Sequence, residues 1–201
     1  MPQTLSSPDG ASLVTLYVHV RVLLGMIIGL GLTHLLRNFA NIIENPRRRR
    51  VYWVHLLWAL SVFLYLIHFW WWEFRLSHLV AWTFNLYLFV TLYALLLYLL
   101  CAFVFSDSAA EYRDYREYFY ARRHWFFGLL ALVYVVDLAD TWIKGPEYFR
   151  HFGPEYLVRN GAYVVLSLIA IATRNPWYHG VFVVAGLLYQ LSWIARQFET
   201  L

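Results

Sequence analysis

The chain has 201 residues, 61% of them hydrophobic, 20% aromatic and 14% charged, with a mean hydropathy of +0.52. A soluble domain runs at about 45–50% apolar and about 25% charged, so this chain lacks the polar surface to stand in water. The net charge of +4 would suggest nucleic acid in a soluble protein, but the basic residues sit between apolar stretches, where lipid headgroups are their expected partners.

The apolar stretches predict six spans, at about 13–36, 51–72, 79–105, 124–143, 156–173 and 177–197. Each has the length that a hydrocarbon core of about 30 Å asks of a helix. Met1 to Ala11 carries no positive charge, so the first span lacks the start of a cleaved signal peptide and is expected to be retained. Asn45-Pro46, Gly145-Pro146, Gly153-Pro154 and Asn175-Pro176 mark the breaks, because proline cannot donate and disfavours helix in the residue before it. The expected fold is therefore all-α: a single transmembrane domain over residues 1–201, a bundle of six helices.

Orientation follows from the loops. Arg37, Arg47 to Arg50, Arg113, Arg116, Arg122, Arg123 and Arg174 collect on one side, which the positive-inside rule assigns to the cytoplasm of a cell-membrane protein. Both termini then lie outside. Between the third and fourth spans, residues 109–123 place Tyr112, Tyr115 and Phe119 at helical spacing with arginines on other faces. That pattern reads as a short amphipathic helix in the interface, with an extension of the third helix into water as the alternative.

Two triplets of spans flank this segment and resemble each other faintly. Val22 to Gly25 parallels Trp125 to Gly128, Tyr52 and His55 parallel Tyr156 and Arg159, and Trp82 parallels Trp177. If genuine, the pattern makes a 3+3 inverted repeat, a build common among transporters.

Ionisable residues inside a span are costly and point to function. Asp137 and Asp140 share one face of the fourth span with Tyr134, Thr141 and Lys144, and Arg21, Asn85, Arg159 and Gln190 lie at similar depth in the outer half. The expected pairs are Arg21 with Asp137 and Arg159 with Asp140, lining a polar cavity open to the outside; in the alternative, Asp140, Arg159 and Lys144 reach headgroups. Structural ion bridges between helices are the competing reading. On the first span Arg21, Gly25, Gly29 and Thr33 recur every four residues, a stripe suited to close helix packing and to a subunit contact in a homo-oligomer.

His34 and His55 near one end of the first two spans, with His19 and His68 near the other, raise a haem b alternative. Their separations turn the pairs roughly 60° and 140° off a common face, which counts against it. Phe69 to Trp72, Trp53, Trp125, Trp142 and Trp177 fit an interfacial belt. The lone Cys101 excludes an internal disulfide and a multi-cysteine metal site. Neither a phosphate-cradling loop, a His-Glu-x-x-His zinc signature nor a Gly-x-Ser-x-Gly elbow is present, so an enzyme is not the expected class and no metal or cofactor is assigned. The leading expectation is a small channel or transporter for an ion or small polar solute. A non-transporting accessory or sensor protein, docking through the Tyr/Arg segment or Arg47 to Arg50, is the other alternative.

Overall fold

The computed structural model describes residues 10–45, 50–78, 82–106 and 111–197. Among them the chain forms α1 (Gly10–Glu44), α2 (Trp53–Trp72), a 3₁₀ helix (Glu73–His78), α3 (Phe84–Val104), α4 (Tyr115–Ile143), α5 (Pro146–His151), α6 (Gly153–Ala172) and α7 (Pro176–Gln197). Six of these helices are long and apolar enough to cross a membrane, and no strand occurs among the described residues. Arg47, Arg48 and Arg49, and the first two residues of the expected interfacial segment, lie outside them.

Local chemistry sets the ends. Thr83 caps α3 by accepting the Leu86 amide at 3.2 Å, and Asp114 caps α4 by accepting the Glu117 amide at 2.8 Å. Gly145 (φ +122°) and Gly153 (φ +63°) make the turns on either side of α5, in backbone conformations that L side chains rarely adopt. Pro146, Pro154 and Pro176 then start α5, α6 and α7, where a missing amide proton costs nothing.

Two expected boundaries shift. α1 runs eight residues past position 36, carried by polar side chains that bond one turn back: Asn38 to the His34 carbonyl (2.8 Å) and Asn45 to the Asn41 carbonyl (3.3 Å). The expected interfacial helix is not separate either, because from Tyr115 onward it is the first part of α4. Its aromatic stripe packs into the bundle rather than against lipid. Tyr118 and Phe119 are buried, Tyr118 donates to the Phe103 carbonyl (3.0 Å), and the Phe119 ring meets Tyr52 and His179.

α1, α3, α4 and α6 form a row in which each helix packs on the next, and α2 lies across the row and carries α7. α6 and α7, although consecutive, are splayed apart. The heaviest packing in the first triplet joins α1 to α3, whereas in the second it joins α4 to α6. The two triplets thus have different pairings, unlike halves related by a two-fold axis.

Of the small-residue stripe of α1, Gly25 packs within the chain. A Cβ on Gly25 would stand 2.9 Å from the Trp70 ring, while Gly29 faces open space. The aromatic run of α2 divides: Phe69 and Trp72 are core residues and Trp71 is exposed. Trp53, Trp125, Trp142 and Trp177 are exposed near helix ends, where a belt puts them.

Candidate functional site

Helical spacing brings Tyr134, Asp137, Thr141 and Lys144 to one face of α4, with Asp140 beside them, at the end of the bundle opposite the arginine-rich loops. Asp137 is a hub for three neighbouring helices. Its Oδ1 is reached by the hydroxyls of Tyr65 on α2 (3.4 Å) and Tyr93 on α3 (3.2 Å), which are 3.0 Å from each other. Its Oδ2 accepts from three groups of α6: Tyr156 Oη (2.8 Å), Asn160 Nδ2 (2.9 Å) and Arg159 Nη2 (3.0 Å). Thr141 Oγ1 lies 2.6 Å from the Tyr156 hydroxyl. The Arg159 guanidinium also donates Nε to Asn160 Oδ1 (2.9 Å) and stacks over Trp193 and Tyr156, 4.6 and 5.0 Å from their ring centres.

One turn further out, Lys144 Nζ bridges two carboxylates, Asp140 Oδ2 at 2.6 Å and Glu73 Oε1 at 2.8 Å. Glu73 is placed there by α2, whose last residue, Trp72, donates its indole proton to Asp140 Oδ2 (3.2 Å). The side chains of this trio are at most 2% exposed. Burial alone pushes the Lys144 ammonium down, but Asp140 and Glu73 more than offset that and hold it above the ordinary lysine value. Asp140 Oδ1 and Glu73 Oε2 have no hydrogen-bond partner among the described residues. His68 closes the flank, with its ring 5.6 Å from Trp72 and 6.3 Å from Tyr65.

With every group ionised, three carboxylates (Glu73, Asp137, Asp140) face two cations (Lys144, Arg159). Counted that way the site has one formal negative charge in excess, in the environment where an unmatched charge is most costly.

Three of the six residues singled out from the sequence meet in this network: Asp137, Asp140 and Arg159. The pairing differs from the expected one. Arg159 takes Asp137, and Asp140 takes Lys144, which is buried instead of reaching headgroups. Arg21 does not pair with Asp137, because α1 packs chiefly on α3 and α2. It donates to the Tyr17 hydroxyl (3.3 Å) and lies over Trp70 and Phe74. Asn85 is exposed in the first turn of α3. Gln190 joins α7 to α2 elsewhere, accepting from Ser61 Oγ (2.7 Å) and donating to the Ser61 carbonyl (3.2 Å). Around Asp137 and Lys144 the polar groups close on one another.

Glu73 was missed by sequence reasoning because it follows a tryptophan run that reads as a surface belt. Tyr65, Tyr93 and Tyr156 were missed because nothing in a sequence marks which tyrosines face one carboxylate.

Two of the four histidines of the haem alternative bond backbone carbonyls. His34 Nε2 donates to the Phe105 carbonyl (2.6 Å) and His55 Nε2 to the Val104 carbonyl (2.7 Å). Among the described residues, no three or more His, Cys, Asp or Glu side chains are grouped to hold a metal ion.

Two apolar grooves run along α7. One, of about 800 Å³, lies between α6 and α7 and reaches Arg159 and Glu155; the other, of about 660 Å³, lies between α2 and α7 and reaches Arg116. No protein-family model, curated protein or solved structure matches the chain.

Proposed function

We propose that the protein is a small membrane carrier for an ion or a small polar solute, that the buried network around Asp137, Asp140, Glu73 and Lys144 is its working site, and that the charge it takes up is a proton. The observation that carries this reading is a buried cluster of three carboxylates with two cations, in which two carboxylate oxygens have no partner among the described residues. A buried group of this composition gains most by binding one positive charge, and a proton needs no more room than the partnerless oxygens offer. The Glu73 and Asp140 carboxyls, each with one oxygen that has no partner among the described residues, are the groups that can hold it. Intramembrane carboxylates and histidines of this kind form the relays of proton-driven pumps and transporters. The closed network supports a carrier with its site occluded over an open channel.

In this reading the arginine-rich end faces the cytoplasm of the cell membrane and both termini lie outside, supported by the loop arginines. A carboxy-terminal green fluorescent protein fusion is then dark and an alkaline phosphatase fusion active. The opposite pair of results reverses the orientation.

Transport is tested in proteoliposomes carrying an imposed pH gradient and a pH-sensitive dye. The protein is expected to dissipate the gradient faster than protein-free vesicles, and Glu73→Gln, purified as a monodisperse sample, is expected to fall to their rate. A wild-type rate equal to that of empty vesicles, or an unchanged rate in Glu73→Gln, removes the proposal.

A further inference from the structure

We infer that the groove between α2 and α7 is a binding site for an anionic phospholipid, with one acyl chain along the helices and the phosphate on Arg116. This site lies at the other end of the bundle from the charged network and does not depend on the transport reading.

Three helices begin at its mouth: Trp53 is the first residue of α2, Arg116 the second of α4 and Trp177 the second of α7. The amino-terminal end of a helix carries a partial positive charge. The α2 and α7 ends have no acidic residue in their first turns, so these two ends and the guanidinium favour an anion here, while Asp114 and Glu117 occupy the α4 end. Arg116 is the only charged side chain lining the groove. It is exposed, forms no ion pair among the described residues, and rests 6.0 Å from the centre of the Tyr52 ring. The adjacent Glu117 is turned away from it, with its carboxylate accepting the Arg113 amide at 3.0 Å.

The depth fits a lipid. Below the mouth the α7 wall is apolar down to Leu188. From Trp177 to Leu188 a helix advances about 16 Å, which is about half of a hydrocarbon core of about 30 Å. The groove therefore ends where one leaflet ends. Trp53 and Trp177, 54% and 82% exposed, flank the mouth at the depth where indoles meet headgroups.

The groove between α6 and α7 makes the contrast. It is larger, but Arg159 at its end is paired with Asp137 and the Glu155 beside it with Arg196 (2.7 Å), so no unpaired charge there selects an anion.

Native mass spectrometry of the full chain in detergent, titrated with phosphatidylglycerol or phosphatidylcholine of identical chains, tests the site. Retention of the anionic lipid is expected to exceed that of the zwitterionic one about fivefold, the effect of one arginine beside an anionic headgroup. Arg116→Gln should remove that preference while leaving some retention of both lipids. Val184→Trp, which fills the groove from an exposed position, should reduce both. Equal retention of the two lipids by the wild type, a preference that survives Arg116→Gln, or lipid binding that ignores Val184→Trp each overturns the proposal. A dimer that Val184→Trp converts to monomer also overturns it and assigns the face to a second copy of the chain.

Discussion

Both ends of the bundle bury polar side chains, and they satisfy them in opposite ways. At the arginine-rich end the problem is the last carbonyls of two helices, which have no intrahelical donor. Side chains from other helices supply the donors. His34 and His55 serve Phe105 and Val104 at the end of α3, while His179 (3.1 Å to Thr173 O) and Arg123 (3.2 Å to Ile171 O) serve the end of α6. Each bond is a separate contact between one side chain and one backbone atom. At the opposite end the polar groups are mostly side chains bonded to side chains, drawn from α2, α3, α4 and α6, and several donors share one carboxylate. The first arrangement stabilises in independent increments. The second is a unit, and its formal charges do not cancel.

The largest expected effect follows from that imbalance. Lys144→Met leaves Glu73 and Asp140 buried without their cation, and breaking a buried pair this way costs about 3–5 kcal/mol. Glu73→Gln removes the excess charge and keeps an acceptor for Lys144, so its expected cost is below about 1 kcal/mol. Unfolding in detergent, followed by tryptophan fluorescence, compares the two. Should Glu73→Gln destabilise as much as Lys144→Met, the network has no surplus negative charge and the proton-binding argument fails with it.

Next in size is a test of sharing. Tyr65→Phe and Tyr93→Phe each remove one of two hydroxyls that reach Asp137 Oδ1. Singly each should cost about 1 kcal/mol, because the other hydroxyl remains as donor. The double variant should cost more than the sum, since it strips that oxygen of both side-chain donors at once. Additive losses in the same unfolding assay would mean that the two bonds are as independent as those at the arginine-rich end.

The two ends also differ in how far a sequence discloses them. Length and hydropathy locate the six spans, and proline, glycine and capping residues fix most of their ends, because those signals act within a few residues. The same local reasoning places Asp137 and Asp140 on one face of α4. It fails at partners. Arg21 and Asp137 lie at matching depth, yet depth does not say that α1 packs on α3. Lys144 looks like a residue reaching for headgroups until α2 brings Glu73 and Trp72 over it. Glu73 is hidden for a similar reason, since Phe69 and Trp72 turn inward and carry the chain end with them. Which helix lies beside which is decided by packing between residues far apart in sequence, and a charged network is made entirely of such choices.

The smallest expected effect is at the other end, and it is the control for the whole contrast. His34→Leu and His55→Leu each withdraw one donor from one carbonyl at the end of α3, a loss of about 0.5–1.5 kcal/mol. The His55 value should be the larger, because His55 is buried and its ring is packed against Phe105 and Tyr115, whereas His34 is only half-buried. The carbonyls are different atoms with no shared donor, so the two losses should add apart from a coupling of about 0.5 kcal/mol through Phe105, which bonds one histidine and packs on the other. Additivity here and its failure at Tyr65 and Tyr93 would separate capping from networking in one molecule. A strong coupling between the histidines would instead show that the α3 end moves as a unit, and the two ends of the bundle would then differ in charge alone.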